Sequence, residues 1–87
     1  MPEITVRVTI RGGAGGVSVS IRGNLMAFEK SGRQTLTLEK GFHIGGVSGS
    51  APPEGSVTIT VLQGDNVLDR ESFKSPVFAG FLHFEVE

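Results

Sequence analysis

GSVTITVLQ, residues 55–63, is the stretch of this 87-residue sequence that decides the fold. Its apolar residues alternate with threonines, and a period of two places successive side chains on opposite faces of an extended strand. Most of these residues are β-branched, which favours the pleated surface of a sheet. Residues 64–66, Gly-Asp-Asn, are typical of a tight turn, and a second run returns from Val67 to Phe73. The stretch therefore predicts a β-hairpin.

Runs with the same period occupy most of the remaining chain. Residues 3–11 alternate without error, residues 17–22 do so more briefly, and residues 77–86 carry large or apolar side chains on one face. Glycines at 12–16 separate the first two runs, which predicts that these runs pair as a hairpin. Residues 25–28 are apolar without clear alternation, which fits either a short buried strand or a loop packed on the sheet edge. No segment has the apolar spacing of a long helix.

The number and spacing of these runs predict an all-β fold. We expect a small antiparallel β-sandwich of seven to eight strands, formed as a single domain by residues 1–87. A chain this short buries only about 60% of the surface that it exposes when unfolded, so we expect its margin of stability to be thin. The alternation predicts that the following residues are buried: Val6, Val8, Val19, Leu38, Ile59, Val61, Leu82 and Phe84.

Composition argues against several classes of partner. The chain has 8 Lys and Arg against 9 Asp and Glu, interspersed along the sequence, so we predict no binding to nucleic acid. No apolar run approaches the roughly 20 residues of a membrane span, so we predict no membrane insertion. The absence of cysteine excludes disulfides and zinc-thiolate sites. The first residues lack the basic and apolar regions of a signal peptide.

Two clusters of residues suggest ligand sites, and each has a simpler interpretation. The glycines at 12–16 do not fit a phosphate-binding loop, because a strand rather than a helix follows them. Asp65, Asn66, Asp69 and Glu71 could offer oxygen ligands to Ca²⁺, but their spacing matches no EF-hand, and solvated charges near a turn explain them as well. We therefore predict no metal and no cofactor.

The residues that could act in catalysis do not form a recognisable motif. His43 and His83 are the only histidines, and the alternation places both on outer faces of strands. Ser48 and Ser50 lack the surrounding glycine pattern of a nucleophile elbow. A nucleophile, a base and an orienting acid must be in mutual contact, and the sequence brings no such set together. We predict that the protein is not an enzyme.

The run that leads to Ile44 carries a resemblance to a known family. Residues 35–44 follow the pattern T-L-x-L-x-x-G-aromatic-x-I, and a Val/Thr strand comes later in the chain. This arrangement resembles the PEGA domain and related immunoglobulin-like modules of prokaryotic envelope proteins, although Phe42 stands where the family usually has Tyr and its Pro-Gly opening is missing. The resemblance implies an immunoglobulin-like, non-catalytic module and favours a cell-envelope or secreted location.

These observations predict a non-catalytic binding or assembly module of a bacterial envelope or secreted system. Its partner would be another protein or another domain of a larger assembly. The alternative is a small carbohydrate- or ligand-binding domain that uses the Gly-rich loops. A deep pocket with convergent polar groups would favour that alternative or an enzyme, whereas a flat surface with an open strand edge would favour the binding module.

We predict an interaction surface from the apolar residues of two segments. The segment Phe42–Gly49 carries no charged side chain and is rich in glycine, which predicts an open edge strand to which a partner could add a strand. Phe81 faces outward if its neighbours face the core, so it could anchor a partner. The alternative is that the glycines make room for close packing within the fold. The predicted surface comprises Phe42, Ile44, Val47, Phe81 and His83.

Overall fold

A computed structural model describes residues 1–87 and consists of eight β-strands without a helix. The strands form two four-stranded antiparallel sheets: sheet A has the order β4-β1-β6-β7, and sheet B has the order β3-β2-β5-β8. The predicted all-β fold is confirmed, and the two sheets are compatible with a small β-sandwich. The strands are β1 (Glu3–Arg11), β2 (Gly16–Ile21), β3 (Asn24–Phe28), β4 (Gly32–Thr37), β5 (Gly41–Ser50), β6 (Ser56–Gln63), β7 (Asn66–Phe73) and β8 (Phe78–Val86).

The predicted hairpin of β6 and β7 is confirmed. The two strands pair antiparallel, and Gly64 in the turn between them has a φ of 62°, which glycine adopts without steric cost. β6 lies inside sheet A, between β1 and β7. Its inward residues Val57, Ile59 and Val61 are fully buried. The stretch that decides the fold is therefore an interior strand of its sheet.

The core lies between the two sheets and is drawn from both. It is one cluster of 18 buried hydrophobic residues. All eight residues that the alternation places in the core are buried, with exposed fractions between 0% and 4%. Because each strand presents alternate side chains to this core, the remaining side chains form two outer faces, one on each sheet.

The predicted hairpin between the first two runs is wrong. β1 pairs with β4 and β6 in sheet A, whereas β2 pairs with β3 and β5 in sheet B. The intervening glycines carry the chain from one sheet to the other, and Gly12 and Gly13 have φ values of 94° and 133°. Alternation shows which face of a strand is buried, but a strand of either sheet has the same alternation.

Residues 25–28, which the sequence leaves open, belong to β3 at the edge of sheet B. Met26 and Phe28 are buried, whereas Leu25 is 72% exposed. The alternation of polar and apolar residues fails here because an apolar side chain also occupies an outward position.

The strand pairs are nested. The β2–β3 pair in sheet B is flanked along the chain by β1 and β4, which pair in sheet A. The β6–β7 pair in sheet A is flanked in the same way by β5 and β8, which pair in sheet B. In each case, the strands before and after a hairpin pair with each other in the opposite sheet.

Side chains bond to the backbone where the sheets end. Gln34 Nε2 on edge strand β4 donates to the carbonyl oxygen of Ala27 on edge strand β3, at 3.4 Å. The Ser31 hydroxyl accepts the N–H of Ile10 at 2.8 Å, just beyond the last β1–β4 pair. The first bond joins an edge strand of sheet A to an edge strand of sheet B. The second extends the β1–β4 ladder by one step.

Both chain termini lie at the same end of the molecule. The N–H of Leu38 donates to the carbonyl oxygen of Pro2 at 3.0 Å, and Val86 pairs with Gly41. Leu38 and Gly41 are only three residues apart, so the two ends of the chain are neighbours. The Gln63 amide also holds the backbone of Glu87 with two hydrogen bonds, of 2.6 Å and 3.0 Å.

Candidate functional site

The outer face of sheet B carries most of the apolar side chains that the fold leaves exposed. Seven large hydrophobic residues are exposed, and four of them lie on this one face: Leu25, Phe42, Ile44 and Phe81. The strand registers place Glu85 as the sole Asp, Glu, Lys or Arg among the outward residues of the sheet. We call this surface, with the outward residues of β2, β3, β5 and β8, the sheet B face. Exposed apolar patches of this kind mark interaction surfaces.

A hollow lies at the centre of the sheet B face. One row of paired residues runs across the four strands, in the order Leu25, Ser20, Gly46 and Phe81. The two large side chains stand at its ends, about 14 Å apart at three strand spacings. The small residues between them, together with Ser48, floor an open depression of about 440 Å³. The face therefore carries projecting apolar side chains and, between two of them, an uncharged recess.

Four of the five residues predicted for the interaction surface lie on the sheet B face. Phe42, Ile44 and Phe81 are 62%, 58% and 65% exposed, and His83 is exposed beside them, opposite Ile44. Val47 does not belong to the surface, because its side chain points into the core and is 4% exposed.

Of the four exposed large hydrophobic residues on this face, Leu25 is the one that was not predicted from the sequence. A signal was present in its neighbours, since Met26 and Phe28 keep the period of two. An apolar residue between two inward positions indicates an outward apolar side chain once a strand is assumed.

The prediction that Phe42–Gly49 is an open edge strand is wrong. β5 is an interior strand, paired with β2 from Gly45 to Ser50 and with β8 from Gly41 to Gly49. The alternative reading of its glycines is the correct one. A Cβ on Gly45 would lie 2.8 Å from Cγ1 of Ile21, and a Cβ on Gly49 would lie 2.8 Å from Cα of Val17. The glycines allow strands to approach closely, and β3 and β8 are the edges of the sheet.

The edge of β8 is occupied by side chains of β7. Asp69 Oδ2 accepts the N–H of His83 at 2.8 Å, and its Oδ1 accepts the N–H of Arg70 at the same distance. Burial raises the pKa of Glu71 above its ordinary value of 4.5, the charge of Asp69 and a hydrogen bond to it raise the pKa further, and His83 opposes the shift. Charged side chains at an edge hinder the addition of another strand.

The two histidines point to opposite faces of sheet B, so the prediction that both face outward is wrong for His43. Its ring is 6% exposed and stacks on Phe84, with ring centroids 5.7 Å apart. Nε2 of His43 is 2.8 Å from the carbonyl oxygen of Glu39, and Nδ1 is buried without a hydrogen-bond partner. The alternation misplaced this residue because a polar ring occupies an inward position. No serine hydroxyl is hydrogen-bonded to either histidine.

The Gly-rich loop and the acidic turn are built around backbone contacts. A Cβ on Gly12 would lie 2.7 Å from Cα of Gly55, so the glycines allow two loops to touch. Asp69 is engaged by two backbone N–H groups, and no group of three or more His, Asp and Glu side chains is arranged to hold a metal ion.

No helix in the structure is long and apolar enough to cross a membrane.

Comparison with family models, with characterised proteins and with solved structures gave no match to this chain.

Proposed function

We propose that the protein is a non-catalytic assembly module that associates through the sheet B face, and that a second copy of the chain covers this face. The observation that carries the proposal is the concentration of four of the seven exposed large hydrophobic side chains on one nearly uncharged face. Burial of such surface is the main favourable term in protein association.

The shape of the sheet B face supports a second copy as the partner. A two-fold axis brings the same patch of two copies together, so the patch must be complementary to itself. Phe81 projects beside a recess floored by Gly46, and a two-fold arrangement lets each copy insert this ring into the recess of the other. The central recess carries no charge, so the copies do not repel each other there.

The edges of the sheets offer a poorer route for association. Asp69 already accepts an edge N–H of β8, and Gln34 donates to an edge carbonyl of β3. A strand added at either edge would have to break the bond at that edge. Face-to-face packing of two B sheets needs no such change, and sheets pack at about 10 Å in this way.

The size of the face predicts a weak dimer. Four strands at about 4.8 Å spacing and about 25 Å long give an area on the order of 500 Å² on each copy. This is less than the roughly 800 Å² per partner of a standard interface, so we expect a dissociation constant in the micromolar range.

The non-catalytic character and the biological setting are part of the same proposal. The non-catalytic reading is supported by the two histidines, which lie on opposite faces and are bonded to no hydroxyl. The resemblance of residues 35–44 to PEGA-type modules supports a bacterial envelope or secreted system. That resemblance also underlies the immunoglobulin-like type, which we propose in the sense of shared sandwich architecture rather than identical strand order.

Sedimentation equilibrium over about 5 to 500 µM protein tests the proposal, since this range brackets a micromolar constant. We expect the wild type to shift from monomer to dimer. Gly46→Glu should abolish the dimer without unfolding the monomer, because a Cβ on Gly46 meets nothing within 4 Å and the charge enters the recess. Phe81→Ser should weaken the dimer, whereas the control Val77→Ser, at a residue that is 81% exposed outside the face, should not.

A wild type that stays monomeric over the whole range would overturn the second copy as the partner. A dimer that tolerates both Gly46→Glu and Phe81→Ser would show that another surface associates. Far-UV circular dichroism of each variant verifies that the monomer is folded.

A further inference from the structure

The outer face of sheet A collects arginines that are far apart in the sequence. Arg33 on β4 pairs with Arg7 on β1, Arg7 pairs with Thr60 on β6, and Thr60 pairs with Arg70 on β7. Paired residues share one side of a sheet, so these four form a single row across all four strands, about 14 Å long. We call the three arginines of this row the arginine row.

The positive charges of the arginine row are not neutralised within the protein. All three arginines are exposed, and none forms a salt bridge. Within the row, Nε of Arg70 donates a hydrogen bond to Oγ1 of Thr60, at 3.4 Å. Arg7 and Arg33 lie directly opposite each other, and like charges in this position destabilise a sheet. An anion bound between them would relieve that repulsion.

The surrounding face is basic although the chain as a whole has a net charge of −1. Arg11 lies on the same side of β1, so four of the 8 Lys and Arg residues share this face. Asp69 and Glu71 flank Arg70 in sequence but pair with Val61 and Ile59, which places them on the inward side. Glu3 at the start of β1 is the acidic residue that remains on the outer face.

The chemistry of the face points to the class of ligand. Guanidinium groups bind the oxygens of sulfate and phosphate in a bidentate manner. Threonine and serine hydroxyls lie on both sides of the row, from Thr9 and Thr58 on one side to Thr5 and Thr35 on the other. None of the six phenylalanines lies on this face, so it has no platform for stacking nucleic-acid bases.

We propose that the outer face of sheet A binds the sulfate or phosphate esters of a linear anionic polysaccharide, with Arg33, Arg7 and Arg70 as the guanidinium contacts. The row runs across the strands, so an extended chain that lies along it meets the three arginines in turn. The hydroxyls beside the row contact the sugar. This site is on the side of the molecule opposite the sheet B face, so it does not depend on the proposed dimer.

Calorimetric titration with heparin, a sulfated polysaccharide, tests the proposal at about 50 mM and about 200 mM salt. We expect heparin to bind at the lower salt and more weakly at the higher, and neutral dextran not to bind. The double substitution Arg7→Gln with Arg33→Gln should reduce the affinity about tenfold or more, because it removes the directly opposed pair. Arg70→Gln should reduce it less, and this variant leaves the β1–β4 ladder unchanged.

The matched control is the double substitution Arg22→Gln with Lys40→Gln. It removes the same charge from exposed residues outside sheet A and should leave the affinity near that of the wild type. The proposal is overturned if heparin does not bind at the lower salt, or if the control loses as much affinity as the row variant. Duplex DNA that binds as tightly as heparin, with the same dependence on the row, would overturn the polysaccharide as the ligand.

Discussion

Ile59 is among the largest side chains that are fully buried in the core. Its side chain is fully buried on the central strand β6. We predict that Ile59→Ala lowers the free energy of unfolding by about 2–5 kcal/mol, because it removes buried methyl groups and leaves a cavity. Urea unfolding measures this, with Val77→Ala as an exposed control. An unchanged urea midpoint for Ile59→Ala would contradict the inward register of β6.

Two glycines on β5 differ in what an added methyl group would meet. A Cβ on Gly49 would collide with the backbone of Gly16 and Val17, whereas a Cβ on Gly46 has no neighbour within 4 Å. We predict that Gly49→Ala destabilises the protein by about 1–3 kcal/mol, as overpacking does, and that Gly46→Ala has little effect on the monomer. Thermal unfolding at low concentration compares the two. Equal midpoints would mean that β2 and β5 are less closely packed than the structure indicates.

Glu71 gives the stability of the protein a dependence on pH. Its pKa is raised in the folded state, chiefly by burial and by Asp69, so the folded protein holds this proton more tightly than the unfolded chain. The stabilisation is fully present below the unfolded value of 4.5 and is lost as the pH rises through the folded pKa. Above that pH, the ionised carboxylate destabilises the fold.

We predict that Glu71→Gln removes this loss of stability and is at least as stable as the wild type at neutral pH. The effect should be small, because solvent screens a side chain that is only partly buried. Urea unfolding between about pH 4 and pH 7 measures it, with Glu54→Gln as the control. A variant whose stability falls with pH as steeply as that of the wild type would remove Glu71 as the cause.

At the scale of elements, the seam between β7 and β8 shows how an edge strand is protected. Asp69 accepts the N–H of His83, which would otherwise face solvent at the edge of β8. We predict that Asp69→Ala speeds the amide hydrogen exchange of His83 and increases aggregation, because a free edge can pair with another chain. Asp65→Ala, in the exposed turn, is the control. Unchanged exchange at His83 would show that this bond does not protect the edge.

The sequence predicts the elements better than it predicts their neighbours. The alternation in β1, β6 and β8 locates each strand and its buried face, because the period of two is a local property. Strand partners are not local, since the paired residues of β1 and β6 are 45 to 57 positions apart in the chain. The hairpin assigned across Gly12–Gly16 and the edge assigned to β5 were wrong for this reason.

The same limit explains which site residues the sequence could reveal. The alternation within β8 identified Phe81 as an outward residue. The recess beside Phe81 depends on Gly46, which pairs with it from the neighbouring strand β5. The arginine row is a stronger case, because Arg7, Arg33 and Arg70 look scattered until β4, β1, β6 and β7 are placed side by side. Charge counted along the chain shows no cluster, but charge counted across the sheet does.

At the scale of the whole molecule, the two outer faces have opposite chemistry. The sheet B face is apolar and carries Glu85 as its one acidic residue, whereas the outer face of sheet A carries four arginines. A dimer formed through the B faces would turn both arginine rows outward, on opposite sides of the pair. Two copies could then contact a polyanion at two places, which raises the apparent affinity without a new contact.

The position of the chain ends has a further consequence for the order of the segments. Because Pro2 and Val86 lie beside Leu38 and Gly41, a linker of about six glycine and serine residues can join the termini. The ring formed in this way can be reopened at Gly13–Ala14, which is exposed and lies outside every strand. We predict that this circular permutant keeps the same eight strands and partners, as its nuclear Overhauser contacts would show. The fold then depends on the cyclic order of the strands and not on which residue comes first.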